Sequence, residues 1–250
     1  MRFCQGAIAA VILLIASVST AQTYHIVDQW KLGGQGGWDY LISDDAAHRL
    51  YIAHNSRVEA VDTTTGKSIG AVTGLKSTHG IALNPDGKTG YISDGAGNVI
   101  VVFNRKDFSI QTTVSAGTNP DGITFEPATK TVWAFNGRSS NVSVLDTASN
   151  TVVATVPLPG KPEFPQVDGQ GSVFVNIEDK NEIVKLEAAS RKAVATWPLQ
   201  GCESPSGMAI DVAKHRLFSV CDGEKMAVVD YDSGKVLGGC DWRLARCRRL

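Results

Sequence analysis

The stretch GIALNPDGKTGYISDGAGNVIVVFN, residues 80–104, decides the fold, because its pattern returns further along the chain. Residues 122–146 read GITFEPATKTVWAFNGRSSNVSVLD, and residues 207–230 read GMAIDVAKHRLFSVCDGEKMAVVD. In each, a Gly opens a short apolar run, a turn follows, an aromatic sits in the second run, and an Asp or Asn closes the third. The aromatic recurs at Tyr51, Tyr91, Trp133, Phe174 and Phe218, at spacings of 40, 42, 41 and 44 residues. Self-similarity at a fixed period of this size marks a repeat architecture.

Each unit reads as four short strands. In the second unit these fall at residues 79–84, 89–93, 98–103 and 109–115, rich in Val, Ile, Thr and aromatics and separated by turn chemistry. Asn84-Pro85-Asp86-Gly87 has the residues of a type I turn, with Pro pre-setting φ at the second position. The turns after the third strands end in Gly66, Asn150 and Gly234, residue types that tolerate left-handed backbone. No segment sustains a helical period. Four antiparallel strands repeating about every 42 residues describe the blades of a β-propeller, since one blade cannot cover its own apolar faces and stacked neighbours can. The expected class is all-β, with five blades at about 38–74, 79–115, 121–157, 163–199 and 206–239.

Three segments carry a family resemblance: Leu50-Tyr51-Ile52-Ala53-His54-Asn55, Val132-Trp133-Ala134-Phe135-Asn136 and Val173-Phe174-Val175-Asn176. With the Pro-Asp-Gly turn, they resemble the YVTN-type repeat of the YncE-like β-propellers over residues 24–239. The resemblance implies a seven-bladed ring of 28 strands, closed by an N-terminal strand that completes the last blade. YHIVDQWKLGG, residues 24–34, resembles such a strand, giving an expected total of one orphan strand plus five units of four. The family is defined by its scaffold, so the resemblance implies little about function.

The two ends differ from the body. Arg2, the apolar run over residues 7–18 and the small residues Ser19-Thr20-Ala21 read as a secretory signal peptide over residues 1–21, which implies a periplasmic or secreted protein. After its cleavage no apolar segment is long enough to span a membrane. Residues 240–250, CDWRLARCRRL, hold four of the eleven arginines and two of the five cysteines. Arg and Cys codons (CGN, TGY) read one base later encode Gly, Ala, Asp and Val, the residues a continuing repeat would use. The tail is therefore expected to be a non-native, out-of-frame segment ending a propeller truncated near residue 239. The alternative is a basic tail that binds nucleic acid or an acidic surface.

Residues 1–21 and 240–250 contain five of the 24 basic residues and one of the 25 acidic ones, which leaves 19 against 24 in the body. An acidic body argues against non-specific nucleic-acid binding and leaves a local basic patch open. Residues 33–37 are Gly-rich but no helix pattern follows, so they do not form a dinucleotide loop. The chain has no Gly-x-Ser-x-Gly, Cys-x-x-Cys or His-Glu-x-x-His motif and no phosphate loop, so no cofactor is expected.

In a propeller, the loop entering each innermost strand faces the central channel. Those positions hold Asp39, His79, Asp121, Glu163 and Ser206, and the first four are spaced 40, 42 and 42 residues apart. Carboxylates and an imidazole from separate blades can contact a ligand, hold a divalent cation or act as general acid and base. Asp after Pro is also ordinary turn chemistry, and a wet pore mouth needs polar residues whatever it does. Cys202 and Cys221 form the candidate disulfide, because antiparallel pairing brings Cys221 near residue 205 and an oxidising compartment would keep the bond. The expected function is an exported binding or scaffold propeller, its partner a protein, glycan or small molecule. The alternative is a lactonase-like hydrolase using channel carboxylates and a divalent metal.

Overall fold

The structure is a computed structural model describing residues 25–241 and, as backbone, 246–249. The signal segment expected at residues 1–21 lies outside the described residues. Residues 1–31 and 32–250 form two compact units. The described part of the first, residues 25–31, has no regular structure; its Asp28 carboxylate accepts from the Gln29 amide and the Trp30 indole N–H.

The second unit holds every described strand. Blade 1 comprises β1 (Trp38–Asp44), β2 (Arg49–His54), β3 (Arg57–Asp62) and β4 (Ser68–Val72). Blade 2 comprises β5 (Thr78–Leu83), β6 (Thr89–Asp94), β7 (Val99–Asn104) and β8 (Ile110–Ser115). Blade 3 comprises β9 (Pro120–Glu126), β10 (Thr131–Asn136), β11 (Asn141–Asp146) and β12 (Thr151–Pro157). Blade 4 comprises β13 (Pro162–Val167), β14 (Ser172–Ile177), β15 (Glu182–Glu187) and β16 (Lys192–Pro198). Blade 5 comprises β17 (Met208–Asp211), β18 (Arg216–Cys221), β19 (Lys225–Asp230), β20 (Val236–Asp241) and a fifth strand, β21 (Arg246–Arg249). Within each blade the strands pair antiparallel in sequence order. The inner strands of successive blades, β1 to β5, β5 to β9, β9 to β13 and β13 to β17, lie beside one another.

Side-chain chemistry sets the turns. After β3, the Asp62 carboxylate accepts from the Thr64 and Thr65 amides at 2.9 and 2.8 Å, and Gly66 takes a left-handed φ of 68°. Asp146 and Asp230 repeat this cap on Ser149 and Ser233. The hydroxyls and amides of Thr64 and Thr65 favour the charged carboxylate and hold Asp62 down to about 2.

The core consists of four interfaces between blades. Tyr51 of blade 1 packs with Ile81, Ile92 and Phe103 of blade 2, and Tyr91 of blade 2 with Val132, Ala134 and Leu145 of blade 3. Trp133 of blade 3 packs with Val173, Val175 and Ile177 of blade 4, and Phe174 of blade 4 with Leu217 and Val229 of blade 5. The recurring aromatic thus bridges each blade to the next, and in the first four blades it is fully buried. Burying a side chain of this size contributes roughly 1.5–3 kcal/mol. Phe218, the fifth in the series, is only half-buried.

One expectation is corrected. Residues 25–34 form no strand, so the orphan N-terminal strand is absent. The described residues form the five expected blades. β20 runs through Asp241, two residues past the expected end of the fifth blade, and β21 pairs with it from Gly238 opposite Arg249 to Asp241 opposite Arg246. The free edge of β20 exposes unpaired N–H and C=O groups, and the segment next in sequence reaches them with the least loop closure.

Candidate functional site at the channel mouth

One backbone device places the candidate residues. In the four longer inner strands the register slips at the same point: Trp38 faces His54 but Leu41 faces Ile52, and Thr78 faces Asp94 but Ile81 faces Ile92. Pro120 faces Asn136 but Ile123 faces Ala134, and Pro162 faces Ile177 but Pro165 faces Val175. Each slip sets two residues against one, a β-bulge, and bulges re-aim side chains. The paired residues are Asp39-Tyr40, His79-Gly80, Asp121-Gly122 and Glu163-Phe164. Each candidate is therefore the first residue of its bulge.

The second residues explain how the strands come so close. A Cβ on Gly80 would meet Ile123 Cγ2 at 2.8 Å and the Asp121 carbonyl oxygen at 2.9 Å. On Gly122 it would run into the Glu163 carbonyl oxygen and Pro165 Cδ. Where the second residue is large, at Tyr40 and Phe164, the two rings meet edge to face with centroids 4.8 Å apart. Behind the bulges a cavity of about 280 Å³ is lined by these residues with Ile42, Ile81, Ile123 and Pro165.

Four of the five sequence-derived residues form one electrostatic cluster. His79 Nδ1 lies 2.7 Å from Asp39 Oδ2 and 3.9 Å from Asp121 Oδ1. The Asp39 hydrogen bond raises the His79 pKa against the opposing effect of burial, and Asp121, Asp39 and Glu163 add to the rise. Asp121 is only 15% exposed; burial pushes its carboxyl up to about 6 despite the attraction of His79, and repulsion from Glu163 and Asp39 adds to the shift. Burial also raises the Tyr40 phenol, which the carboxylates of Asp121, Glu163 and Asp39 keep protonated.

Glu163 is buried and meets Lys161 Nζ at 2.8 Å, and the same ammonium reaches Glu178. Burial opposes the Lys161 charge, but the hydrogen bonds to the two glutamates outweigh it and its pKa rises. The other edge of the His79 ring sits over Gly95, where a Cβ would lie 2.6 Å from Nε2 and 3.0 Å from Asn119 Oδ1.

Ser206 does not join the cluster. It is exposed, β17 starts two residues later, and its hydroxyl makes no hydrogen bond among the described residues. Its backbone is held firmly: its amide donates to Val220 O at 2.9 Å, and its carbonyl accepts from Asn176 Nδ2 at 3.0 Å. A disulfide between Cys202 and Cys221, with Cα atoms 5.3 Å apart, ties the preceding loop to β18. That loop folds back as Asp222 N donates to Glu203 O at 2.8 Å.

Among the described residues, no group of three or more His, Cys, Asp or Glu is arranged to hold a metal ion. Sequence reasoning missed Tyr40, Phe164, Lys161 and Glu178. The first two were legible in principle, since each follows a candidate residue at the same phase of the repeat. Lys161 and Glu178 meet only through the fold.

No protein-family model matches the chain, and no curated protein does. Among solved structures, hydrazine synthase of Kuenenia stuttgartiensis is similar, with a TM-score of 0.64 over 83% of this chain and 80% of that one, at 16% identity. At that identity the likeness is one of fold.

Proposed function

We propose that this protein is an exported propeller of the YVTN-repeat type that binds a ligand at its channel mouth, contacted by Asp39, His79, Asp121 and Glu163 with Ser206 at the margin. One observation carries the reading: four successive blades use the same bulge to turn a polar side chain into one coupled cluster, next to a cavity lined by Ile42, Ile81, Ile123 and Phe164 together with Ser43, Thr124 and Gln166. A few convergent polar groups over a mostly apolar recess is the usual form of a small-ligand site. Binding suits the cluster better than catalysis, because its strongest groups are already paired: His79 with Asp39, and Glu163 with Lys161. A panel of small molecules, glycans and peptides screened by thermal shift and followed by calorimetry tests the proposal. A hit should weaken at least ten-fold in Asp39→Asn and Glu163→Gln, and a hit indifferent to both defeats it. Export is tested separately by the mass of the mature protein, expected to begin at Gln22; retention of Met1 or Arg2 refutes it. Among the described residues, no helix is long and apolar enough to cross a membrane.

A hydrolase reading is favoured by one fact, the Asp121 carboxyl held up to about 6 beside His79, a value suited to a general base near neutral pH. Turnover of an ester or lactone panel that disappears in Asp121→Asn would support it. Absence of turnover across the panel removes it.

A further inference from the structure

The opposite end of the blades carries a second recess, unrelated to the channel. It lies where β1 ends, β2 begins, β6 begins and β7 ends, between blades 1 and 2, and encloses about 610 Å³. Four of its lining residues are cationic, Arg49, Lys88, Arg105 and Lys106, against a single carboxylate, Asp44. That carboxylate is spent: it is buried and pairs with the buried Arg105 guanidinium, whose Nη1 also donates to Asn84 O at 2.8 Å. Arg49 is fixed by donating to the Arg105 carbonyl and lies over the Phe108 ring at 5.8 Å. Among the described residues no carboxylate lies within salt-bridge distance of Arg49, Lys88 or Lys106. The two acidic neighbours in sequence are exposed and engaged in their own turns: Asp86 accepts from the Lys88 and Thr89 amides at 2.7 and 3.0 Å, and Asp107 from the Ser109 amide at 3.0 Å.

Three cations on the walls that make no ion pair among the described residues, one of them held rigidly, make an anion-binding arrangement in a body that is otherwise acidic. The recess is far larger than one inorganic oxyanion needs. We infer that this groove binds a small molecule carrying two or more oxyanion groups, phosphate or carboxylate, bridged between Arg49 and the Lys88 and Lys106 ammonium groups. Arginine suits the planar, bidentate part of such a contact and lysine the point-charge part.

Calorimetry at low salt with pyrophosphate and with digalacturonate separates the two sources of oxyanion. Saturable one-to-one binding of either is expected, weakening several-fold as salt rises. The Lys88→Glu, Lys106→Glu double variant should weaken it at least ten-fold. Lys192→Glu, a reversal on an exposed lysine of blade 4, should leave it within two-fold. Lys88 and Lys106 are exposed, and a matched unfolding midpoint for the double variant shows that the fold is kept. No binding of either probe at millimolar concentration overturns the inference. So does binding that survives the double reversal, or affinity confined to oligonucleotides.

Discussion

Replacing Asp121 by Asn tests the electrostatics of the channel mouth directly. The Asp121 carboxyl rises from 3.8 to about 6 in the folded protein, with burial as the main cause. A shift of about 2 units corresponds to about 3 kcal/mol between the two protonation states. Because the folded-state value is raised, this stabilisation is fully present below 3.8 and is lost as pH rises through about 6. Asn keeps the shape and has no charge to desolvate. The parent and the variant should therefore be nearly equal at pH 4, while at pH 8 the variant should be more stable by up to about 3 kcal/mol. For a domain of this size that is a rise in Tm of roughly 6–12 °C. The gain falls short of the maximum by whatever Asp121 contributes to holding His79 charged, although Asp39, the nearer partner, remains.

The measurement is reversible urea unfolding of both proteins at half-unit steps from pH 4 to pH 8. Only the difference between them matters. Exposed carboxylates such as Asp62 and Asp146, whose values are lowered by turn hydrogen bonds, lend stability that is lost as pH falls, and they do so equally in both chains. A flat difference across the range would refute the reasoning, as would a variant that is weaker at pH 8 than at pH 4. Either result would mean that Asp121 is solvated or fully compensated by His79, and the hydrolase reading would lose its one support.

Gly122→Ala places a methyl against the Glu163 carbonyl and Pro165 and should cost roughly 1–3 kcal/mol, read as a lower urea midpoint; an unchanged midpoint would show that blades 3 and 4 can part without penalty. Removing the disulfide with Cys202→Ser and Cys221→Ser, which frees a 19-residue separation, should cost about 3 kcal/mol under oxidising conditions, read as a lower urea midpoint; an unchanged midpoint would show that the bond adds nothing to the fold. Phe174→Ala and Phe218→Ala alter the same residue at the same repeat position, yet the first ring is fully buried against blade 5 and the second is half-exposed. The first should cost roughly 3–5 kcal/mol and the second less than half of that; equal costs would contradict the inter-blade core as described.

How much of this was legible depends on whether the information was periodic. The second-strand aromatics of the first four blades announce themselves because each fills the gap to the next blade, so one physical requirement is written four times at spacings of 40, 42 and 41 residues. The mouth cluster was legible for the same reason. Asp39, His79, Asp121 and Glu163 share a phase, and the bulge that re-aims them recurs with them. Ser206 has that phase too and fails, because β17 is short and starts at Met208, past the point where a bulge could form. Contacts made once, by groups with no counterpart in other blades, carry no such signal. Lys161 joins Glu163 to Glu178 across 15 residues of sequence, and Arg105 reaches Asp44 across 61. The N-terminal segment misled in the opposite direction. Its residues resembled a fourth strand, but residue types give only a propensity, and a strand also needs an open edge. Each of the first four blades supplies its own fourth strand, and the edge beyond β20 is taken by β21. A repeat thus reveals what its units must share. The groove between blades 1 and 2 belongs to what they do not share: Arg49, Lys88 and Lys106 occupy ordinary surface positions in their own blades, and only the packing of blade 1 against blade 2 makes them one site.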